Sequence, residues 1–403
     1  MSYLLNEIKS TYIVKKVFEL VEPMKYLQIL RNNKRYQKLL DLNIKDYEKA
    51  YKEYNQIEFE IIPVEDSSGK NLINYKKEEK SFFHFYYNDD ESNENQLEEK
   101  ISKIKVKIDI EVKSLEGLFC NCFDLKEVNF IKFNRKNLTN LSKMFFMCIC
   151  LTKANLSKIK TENVSDMNCL FFNCLSLEEL NLSNFNTSKV TNMAHMFYNC
   201  KNLKELNILN FNTSNVTNME YMFYGCSALQ KLNLINFNTS KVTDIHRIFD
   251  GCESLQDLNI SNFDTSRITN MDWIFSKCKN LEKLNLSSFN TSNVINMSAM
   301  FYECKSLKEL VVFNFDTSKV TRMDKMFTKC ESLKKLDLSN YNTENVVEMN
   351  DMFNGCKALT DLNIEKFKIN EVTNMKGMFS NCLDELKLKI KEKFKSIKDE
   401  AFI

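Results

Sequence analysis

The chain has very little proline and glycine, with two prolines and six glycines among 403 residues. This scarcity excludes a long proline- or glycine-rich linker between modules. Positive and negative charges nearly cancel to a formal net charge of +2, which excludes a global electrostatic attraction to nucleic acid. No apolar run approaches the roughly 18–20 residues of a membrane-spanning helix, and the charged first 20 residues do not form a signal-peptide core. We therefore predict a cytoplasmic protein without a membrane span or nucleic-acid partner; the alternative is the cell surface, reached by an unrecognised route.

Signals for catalysis are also scarce. No glycine-rich phosphate loop of the GxGxxG or GxxxxGK type occurs. There are three histidines, His84, His195 and His246. The last two occupy variable positions of a repeat and are predicted to be solvated helix residues rather than catalytic bases. We predict no enzyme activity, no cofactor and no metal.

The chain does have a strict period. Eleven cysteines recur every 26 residues from Cys122 to Cys382, and each follows a phenylalanine by three positions. A fixed period of this length is typical of a solenoid, and solenoids usually present binding surfaces. Two apolar residues usually precede each cysteine by seven and four positions, and this helical spacing indicates a buried stripe. We predict free core thiols in a reducing compartment rather than disulfides, among them Cys174, Cys200, Cys226 and Cys252.

A zinc site is an alternative for four of the cysteines. Cys120 and Cys122 lie on one turn, and Cys148 and Cys150 lie on the next. Tetrahedral zinc binding requires the four thiolates to converge. In the repeat frame, Cys120 and Cys150 diverge around the predicted helix, so zinc is the less favoured interpretation.

Each repeat is predicted to contain a strand, a turn and a short helix. In 177–202, the leucines at 180 and 182 point inward from a strand, and Asn186-Thr187-Ser188 forms a turn. Asn192 is a plausible N-cap of a helix that buries Met193, Met196, Phe197 and Cys200. The predicted fold class is therefore α/β, a right-handed solenoid of about eleven repeats. Its strand face is expected to be concave because the helical side is bulkier.

The pattern N-F-N-T-S-x-V-T-N-M-x-x-M-F-x-x-C-x-x-L-x-x-L-N-L resembles the BspA-like leucine-rich-repeat proteins. The stretches Phe185 to Ile208 and Phe211 to Leu234 match it nearly residue for residue. The resemblance implies a leucine-rich-repeat solenoid that binds proteins or surfaces. In the wider class an asparagine closes each turn just after the strand; here Asn184 lies one place before Phe185, which indicates a different turn geometry.

The N-terminal residues carry a second, weaker resemblance. Residues 8–40 are similar to an F-box, although Ile8-Lys9 stands where that family has Leu-Pro. The resemblance implies a substrate receptor of a ubiquitin ligase whose adaptor is bound by Val17, Phe18, Val21 and Tyr36. We predict four regions: a helical module at 1–54, a β-rich cap with an acidic loop at 55–104, the solenoid at 105–390 and a capping helix at 391–403. Leu386 to Ile390 are expected to continue a strand before that helix.

Side chains that point outward from the strand face have two predicted roles. One column carries asparagine and is predicted to join the turns by side-chain hydrogen bonds, including Asn181, Asn207, Asn233 and Asn259. Apolar residues interrupt the polar surface and are the candidate protein-binding residues, namely Leu209, Ile235, Val311 and Phe313. We predict a non-catalytic protein-binding or scaffold protein. The alternatives are an F-box-type adaptor and a surface adhesion protein.

Overall fold

The computed structural model describes residues 32–39, 44–65, 72–88, 101–109, 112–368, 374–395 and 397–403. The described chain begins with two helices, α1 (Lys34–Leu39) and α2 (Ile44–Asn55). Helix α2 lies where the sequence predicts one. It is the longest helix in these segments, and none of their helices has the length and apolar character needed to cross a bilayer.

An antiparallel sheet covers the start of the solenoid. It contains β1 (Ile57–Pro63), β2 (Phe83–Tyr87) and β3 (Ile104–Ile108), with a short 3-10 helix at Lys77–Phe82 before β2. The strand order is β2-β3-β1-β4, where β4 (Leu125–Lys132) is the first strand of the repeats. Strand β1 lies in the region predicted to be a β-rich cap, and every second side chain from Ile57 is buried. The sheet thus pairs with a solenoid edge that would otherwise expose backbone groups.

The repeats stack as a solenoid, as the sequence predicts. Strand β4 continues into parallel strands β5 (Lys153–Asn155) and β6 (Glu179–Asn181). Further parallel pairs are β7–β8, β9–β10 and β11–β12, formed by Lys231–Asn233, Asp257–Asn259, Lys283–Asn285, Glu309–Val311, Lys335–Asp337 and Asp361–Asn363. A second ladder of parallel bridges links residues 26 apart on another side of the coil, for example Asn192 to Asn218.

The prediction of a helix in every repeat is wrong. Residues 194–199 form consecutive turns, with left-handed φ angles of 57° at His195 and 56° at Asn199. The His195 N–H donates to the Glu220 carbonyl of the next turn, and the Asn199 N–H donates to the Tyr224 carbonyl. Because alternate amides bond to the neighbouring turn, they are not available for bonds four residues back. The bulky helical side that predicted a concave strand face is therefore absent.

A stack of phenylalanines forms the centre of the core. The eleven rings from Phe119 to Phe379 stack in sequence with centroids 5.1–5.9 Å apart and planes within 13° of parallel. At the N-terminal end, Phe59 of β1 contacts Phe119 edge-on at 5.6 Å. At the C-terminal end, Phe402 stacks on Phe379 at 5.7 Å. Both ends of the aromatic stack are thus covered by the caps.

The C-terminal cap differs from the prediction. The segment Asp384–Lys393 is a helix, α3, and a 3-10 helix follows at Asp399–Phe402. The predicted strand at 386–390 and single helix over 391–403 are therefore wrong. Acidic residues in the first turn and lysines in the last favour α3, and Leu386 and Ile390 are buried four residues apart whereas Leu388 is 61% exposed. The Phe379 N–H donates to the Ala401 carbonyl at 2.7 Å, so the 3-10 segment closes the last turn.

Candidate binding surface on the turn segments

The ladder cysteines occupy a structural position. All fourteen cysteines are free, and the eleven at the 26-residue period are buried. The Cys200 thiol donates to the Phe171 carbonyl of the preceding turn at 3.3 Å. Burial raises the pKa of the Cys226 thiol to about 12. Such a thiol is a poor nucleophile at neutral pH. The same burial and bond hold for Cys174, Cys200, Cys226 and Cys252.

The four asparagines singled out in the predicted column make side-chain hydrogen bonds within their own turns and not between repeats. The Asn207 Oδ1 accepts the N–H of Leu209 at 3.3 Å. The same bond to the amide two residues later occurs at Asn181, Asn233 and Asn259. Near the N-terminal end of the column, a side-chain hydrogen bond does join two repeats: Asn155 Nδ2 donates to Asn129 Oδ1 at 2.9 Å. For the four asparagines singled out from the sequence, the side chain therefore shapes its own turn.

Other polar side chains join the repeats. Asn236 Nδ2 donates to the Leu209 carbonyl at 2.7 Å, and Asn184 makes the equivalent bond one place before its phenylalanine. The buried Thr213 hydroxyl donates to the Asn238 carbonyl at 2.9 Å and accepts the Asn238 N–H at 2.7 Å. These bonds recur along the stack, so the unusual asparagine position has a structural role.

The apolar residues predicted on the strand face do not form one patch. Leu209 and Ile235 are exposed on consecutive turns, with 43% and 51% of their surface accessible. Phe313 is 52% exposed, whereas Val311 in β10 is partly buried. Three turns separate Ile235 from Phe313, which corresponds to about 14 Å at the strand spacing. Leu209 and Ile235 therefore lie on neighbouring turns at one place of the strand face, and Val311 and Phe313 lie at another.

The residues predicted to bind an adaptor are mostly outside the described residues. Val17, Phe18 and Val21 lie there, so their arrangement is not described. Tyr36 belongs to α1 and is 1% exposed. A side chain buried to this extent is not presented to a partner.

A row of stacked aromatic side chains runs along the turn segments. Phe146, Phe172, Tyr198 and Tyr224 occupy equivalent positions of four consecutive repeats. Their centroids are 4.7, 4.4 and 4.5 Å apart, with planes within 12° of parallel. All four side chains are partly exposed. Solvent thus meets a continuous aromatic strip over four turns.

A second row lies beside the first. His195 stacks on Tyr221 with centroids 4.8 Å apart. The Arg247 guanidinium lies 5.8 Å from the Tyr221 ring and 4.8 Å from the ring of Trp273, the single tryptophan of the chain. Tyr198 bridges the two rows through Tyr221, at 5.9 Å. We call these two rows the turn-face patch; its members are Phe146, Phe172, His195, Tyr198, Tyr221, Tyr224, Arg247 and Trp273.

Ionisable groups border the turn-face patch. The His246 Nδ1 lies 2.6 Å from Asp244 Oδ1, and this hydrogen bond raises the pKa of His246. Burial lowers the pKa of His195, whose Nδ1 is buried without a hydrogen-bond partner in the described part of the chain. Burial also raises the pKa of Asp250 to about 6. Both histidines are partly buried on turns, so their prediction as solvated helix residues is wrong.

Reasoning from single repeats missed the turn-face patch. Its members occupy two variable positions of the 26-residue frame, which look unremarkable when a repeat is read alone. Aligning the repeats in columns would have shown the sequence Phe, Phe, Tyr, Tyr at one position and His, Tyr, Arg, Trp at the other. Because equivalent positions of a solenoid lie side by side, such columns predict surface patches.

Comparisons with known proteins identify the family. The profile described as "Mycoplasma protein of unknown function, DUF285" matches residues 113–233, 228–312 and 298–397, more than two thirds of the chain. The chain belongs to the DUF285 family. The match begins after the N-terminal module, so it gives no support to the F-box resemblance.

The comparisons with solved structures and with curated proteins do not indicate a function. A leucine-rich repeat protein from Bacteroides ovatus is similar, with 17% identity, 69% of this chain and 70% of that chain covered, and a TM-score of 0.36. No curated protein matches the chain. The DUF285 family description states no function, so function has to be argued from this chain's own surface.

Proposed function

We propose that this DUF285 chain is a non-catalytic protein-binding solenoid and that the turn-face patch is its contact surface. The observation that carries the proposal is the continuous, partly exposed row of aromatic side chains over consecutive turns. Tyrosine, tryptophan and arginine dominate the binding energy of protein interfaces. All three occur in the turn-face patch, held in place by stacking.

The stacking of the repeats does not require these aromatic side chains. At the position of Tyr198 and Tyr224, later repeats have Thr328, Asn354 and Ser380, and they form the same turns. At the position of Trp273, the next repeat has Ala299. Large aromatic side chains are therefore concentrated in one stretch of the turn face for a reason other than building the coil, and partner binding supplies one.

The strand face is the second candidate surface. Leu209, Ile235 and Phe313 are exposed apolar residues of this face, at a position where other repeats have Ser183, Ser261 and Ser287. Their separation into two places makes this face the weaker candidate, because hot-spot residues of an interface cluster near its centre.

Residues taken from other repeats give variants that test both faces without disturbing the fold. The turn-face variant combines Tyr198→Asn, Tyr224→Asn and Trp273→Ala. The strand-face variant combines Leu209→Ser, Ile235→Ser and Phe313→Ser. Full-length wild type and both variants are cross-linked in extract of the source cell, and cross-linked partners are identified and mapped by mass spectrometry. Each partner is then purified, and its affinity for the three proteins is measured.

We expect partners whose cross-links map to the turn segments and whose affinity falls about 30-fold or more in the turn-face variant, since hot-spot residues contribute about 2 kcal/mol or more. The strand-face variant should bind as wild type does. The opposite pattern would move the binding surface to the strand face. If every mapped partner binds both variants with wild-type affinity, neither face is the contact surface and the proposal fails.

A further inference from the structure

A group of metal-ligating side chains surrounds His246 at the edge of the turn-face patch. Asp244 lies two residues before it on the same turn, and Glu220 lies on the preceding turn. The His246 Nδ1 is 2.6 Å from Asp244 Oδ1 and 3.7 Å from Glu220 Oε2. One ligand atom from each of the three side chains lies within 4.8 Å of the other two. The side chains of His246, Asp244 and Glu220 are 18%, 36% and 26% exposed, so a small ion can reach them from solvent.

The separations suit a first-row divalent ion. Zinc binds nitrogen and oxygen ligands at about 2.0–2.2 Å, which places two ligands of a tetrahedral ion about 3.4 Å apart. The distances of 2.6 Å and 3.7 Å from the imidazole nitrogen to the two carboxylates bracket that value. Small side-chain rotations would therefore bring all three onto one ion. An imidazole with two carboxylates favours zinc and related transition metals over calcium or magnesium.

A partly buried carboxylate on the next turn has one oxygen without a hydrogen-bond partner among the described residues. Asp272 occupies the position of His246 in the next turn. Its Oδ1 is buried, and no residue that the structure describes hydrogen-bonds to it. Leaving a buried carboxylate oxygen unpaired is unfavourable, and a nearby cation would compensate it. Arg247 does not form an ion pair with Asp272 in the described structure, because its guanidinium lies over Trp273 with Nη1 3.6 Å from Asp250.

Other repeats show that the coil does not need these ligands. The position shared by Glu220 and His246 holds Asn168, Ala194 and Asn350 elsewhere. The position of Asp244 holds Asn218 in the preceding repeat, where the amide oxygen makes the same turn bond to the amide two residues later. A carboxylate also occurs at Asp324, but there Arg322 Nε binds it at 3.1 Å.

We propose that Glu220, Asp244 and His246 bind one divalent transition-metal ion of the zinc class, whose two positive charges are balanced by the two carboxylates. The inference goes beyond the proposed function, since ion binding at these side chains requires no protein partner. Three protein ligands leave a further coordination position for water or for a group of another molecule.

Zinc binding to the reduced, metal-free full-length protein tests the proposal by calorimetry. The ligand variants His246→Ala and Asp244→Asn take their residues from Ala194 and Asn218 of neighbouring repeats, so the turns should form unchanged. Asp324→Asn is the matched control, because it removes a carboxylate from an equivalent position that is already paired with arginine. Thermal unfolding of each variant checks that the fold is retained.

We expect wild type and Asp324→Asn to bind about one ion per chain with equal affinity, and each ligand variant to bind about tenfold or more weakly, as metal sites commonly lose with even outer-shell changes. Absence of zinc binding by wild type would overturn the proposal, as would wild-type affinity in His246→Ala and Asp244→Asn. Binding that persists in both variants but is abolished by alkylating the exposed thiols would place the ion on cysteines and equally refute it.

Discussion

Asp250 should make the stability of the central repeats depend on pH. It is a carboxylate in an almost fully buried position, with its side chain 2% exposed. Its Oδ1 has no hydrogen-bond partner among the described residues, and its Oδ2 lies 3.6 Å from Arg247 Nη1. Desolvation disfavours the charged form more than the neighbouring Ser276, Lys277 and Arg247 favour it, which raises the pKa from 3.8 to about 6.

The sign and size of the effect follow from linkage. Because the folded-state pKa is raised, the stabilising contribution of neutral Asp250 is fully present below pH 3.8 and is lost as the pH rises through about 6. The shift of roughly two pKa units corresponds to about 3 kcal/mol above pH 6. Asp250→Asn keeps the side chain neutral at every pH. Between pH 4 and pH 8, the stability of the variant relative to wild type should therefore rise by about 2–3 kcal/mol.

Hydrogen exchange of the backbone amides in 245–280 is the suitable assay, because long repeat arrays need not unfold in one step. Variant and wild type are compared at the same pH, so intrinsic exchange rates cancel. Asp257→Asn, at an exposed position of β8, is the control and should change stability by less than about 0.5 kcal/mol. The reasoning would be refuted if the gain in local stability of the variant over wild type were equal at pH 4 and pH 8, or larger at pH 4.

Two further outcomes test the ladders. Thr213→Val keeps the shape of a buried side chain but removes both hydrogen bonds to the Asn238 backbone. By hydrogen exchange of the neighbouring amides, it should lower the local stability by about 2–4 kcal/mol. Ser214→Ala next to it should change that stability by less than about 0.5 kcal/mol, and equal effects of the two variants would contradict the role of the threonine. Alkylation of the native, reduced protein should modify no more than the three partly exposed cysteines, Cys120, Cys150 and Cys169. All fourteen should react after unfolding, by intact mass, and early modification of any ladder cysteine would show that the core opens more readily than the burial indicates.

The repeat architecture could be predicted from the sequence because its signal is the period itself. The spacing of Phe119 and Cys122 recurs without a slip, and only stacked coils place such residues in register. The helix within each repeat was a wrong inference from Met193, Met196 and Cys200. Apolar residues three and four apart arise in a helix and also in consecutive turns whose amides alternate between the same and the next coil. A local pattern does not distinguish the two, because the deciding bonds join residues 25 positions apart.

The candidate surface was predictable only in part. Exposure of Leu209, Ile235 and Phe313 follows from strand alternation, and it is seen in the structure. The stacking of Tyr198 on Tyr224, and of His195 on Tyr221, depends on contacts between repeats. The group around His246 likewise combines residues from two repeats, so it emerges only when the coils are set side by side.

The hydrogen bonds that the ladder cysteines and the turn threonines make to neighbouring repeats also limit how the chain can change in length. They join residues 29 and 25 positions apart, so every coil touches only the coil before it and the coil after it. Removing or duplicating one whole 26-residue unit would leave the same neighbours in contact and change the rod by about 4.8 Å. Inserting a single residue between Phe197 and Cys200 would instead move one thiol away from its carbonyl acceptor. Genetic duplication can therefore supply new coils at no structural penalty, while substitutions at the two turn-face columns give each coil its own surface.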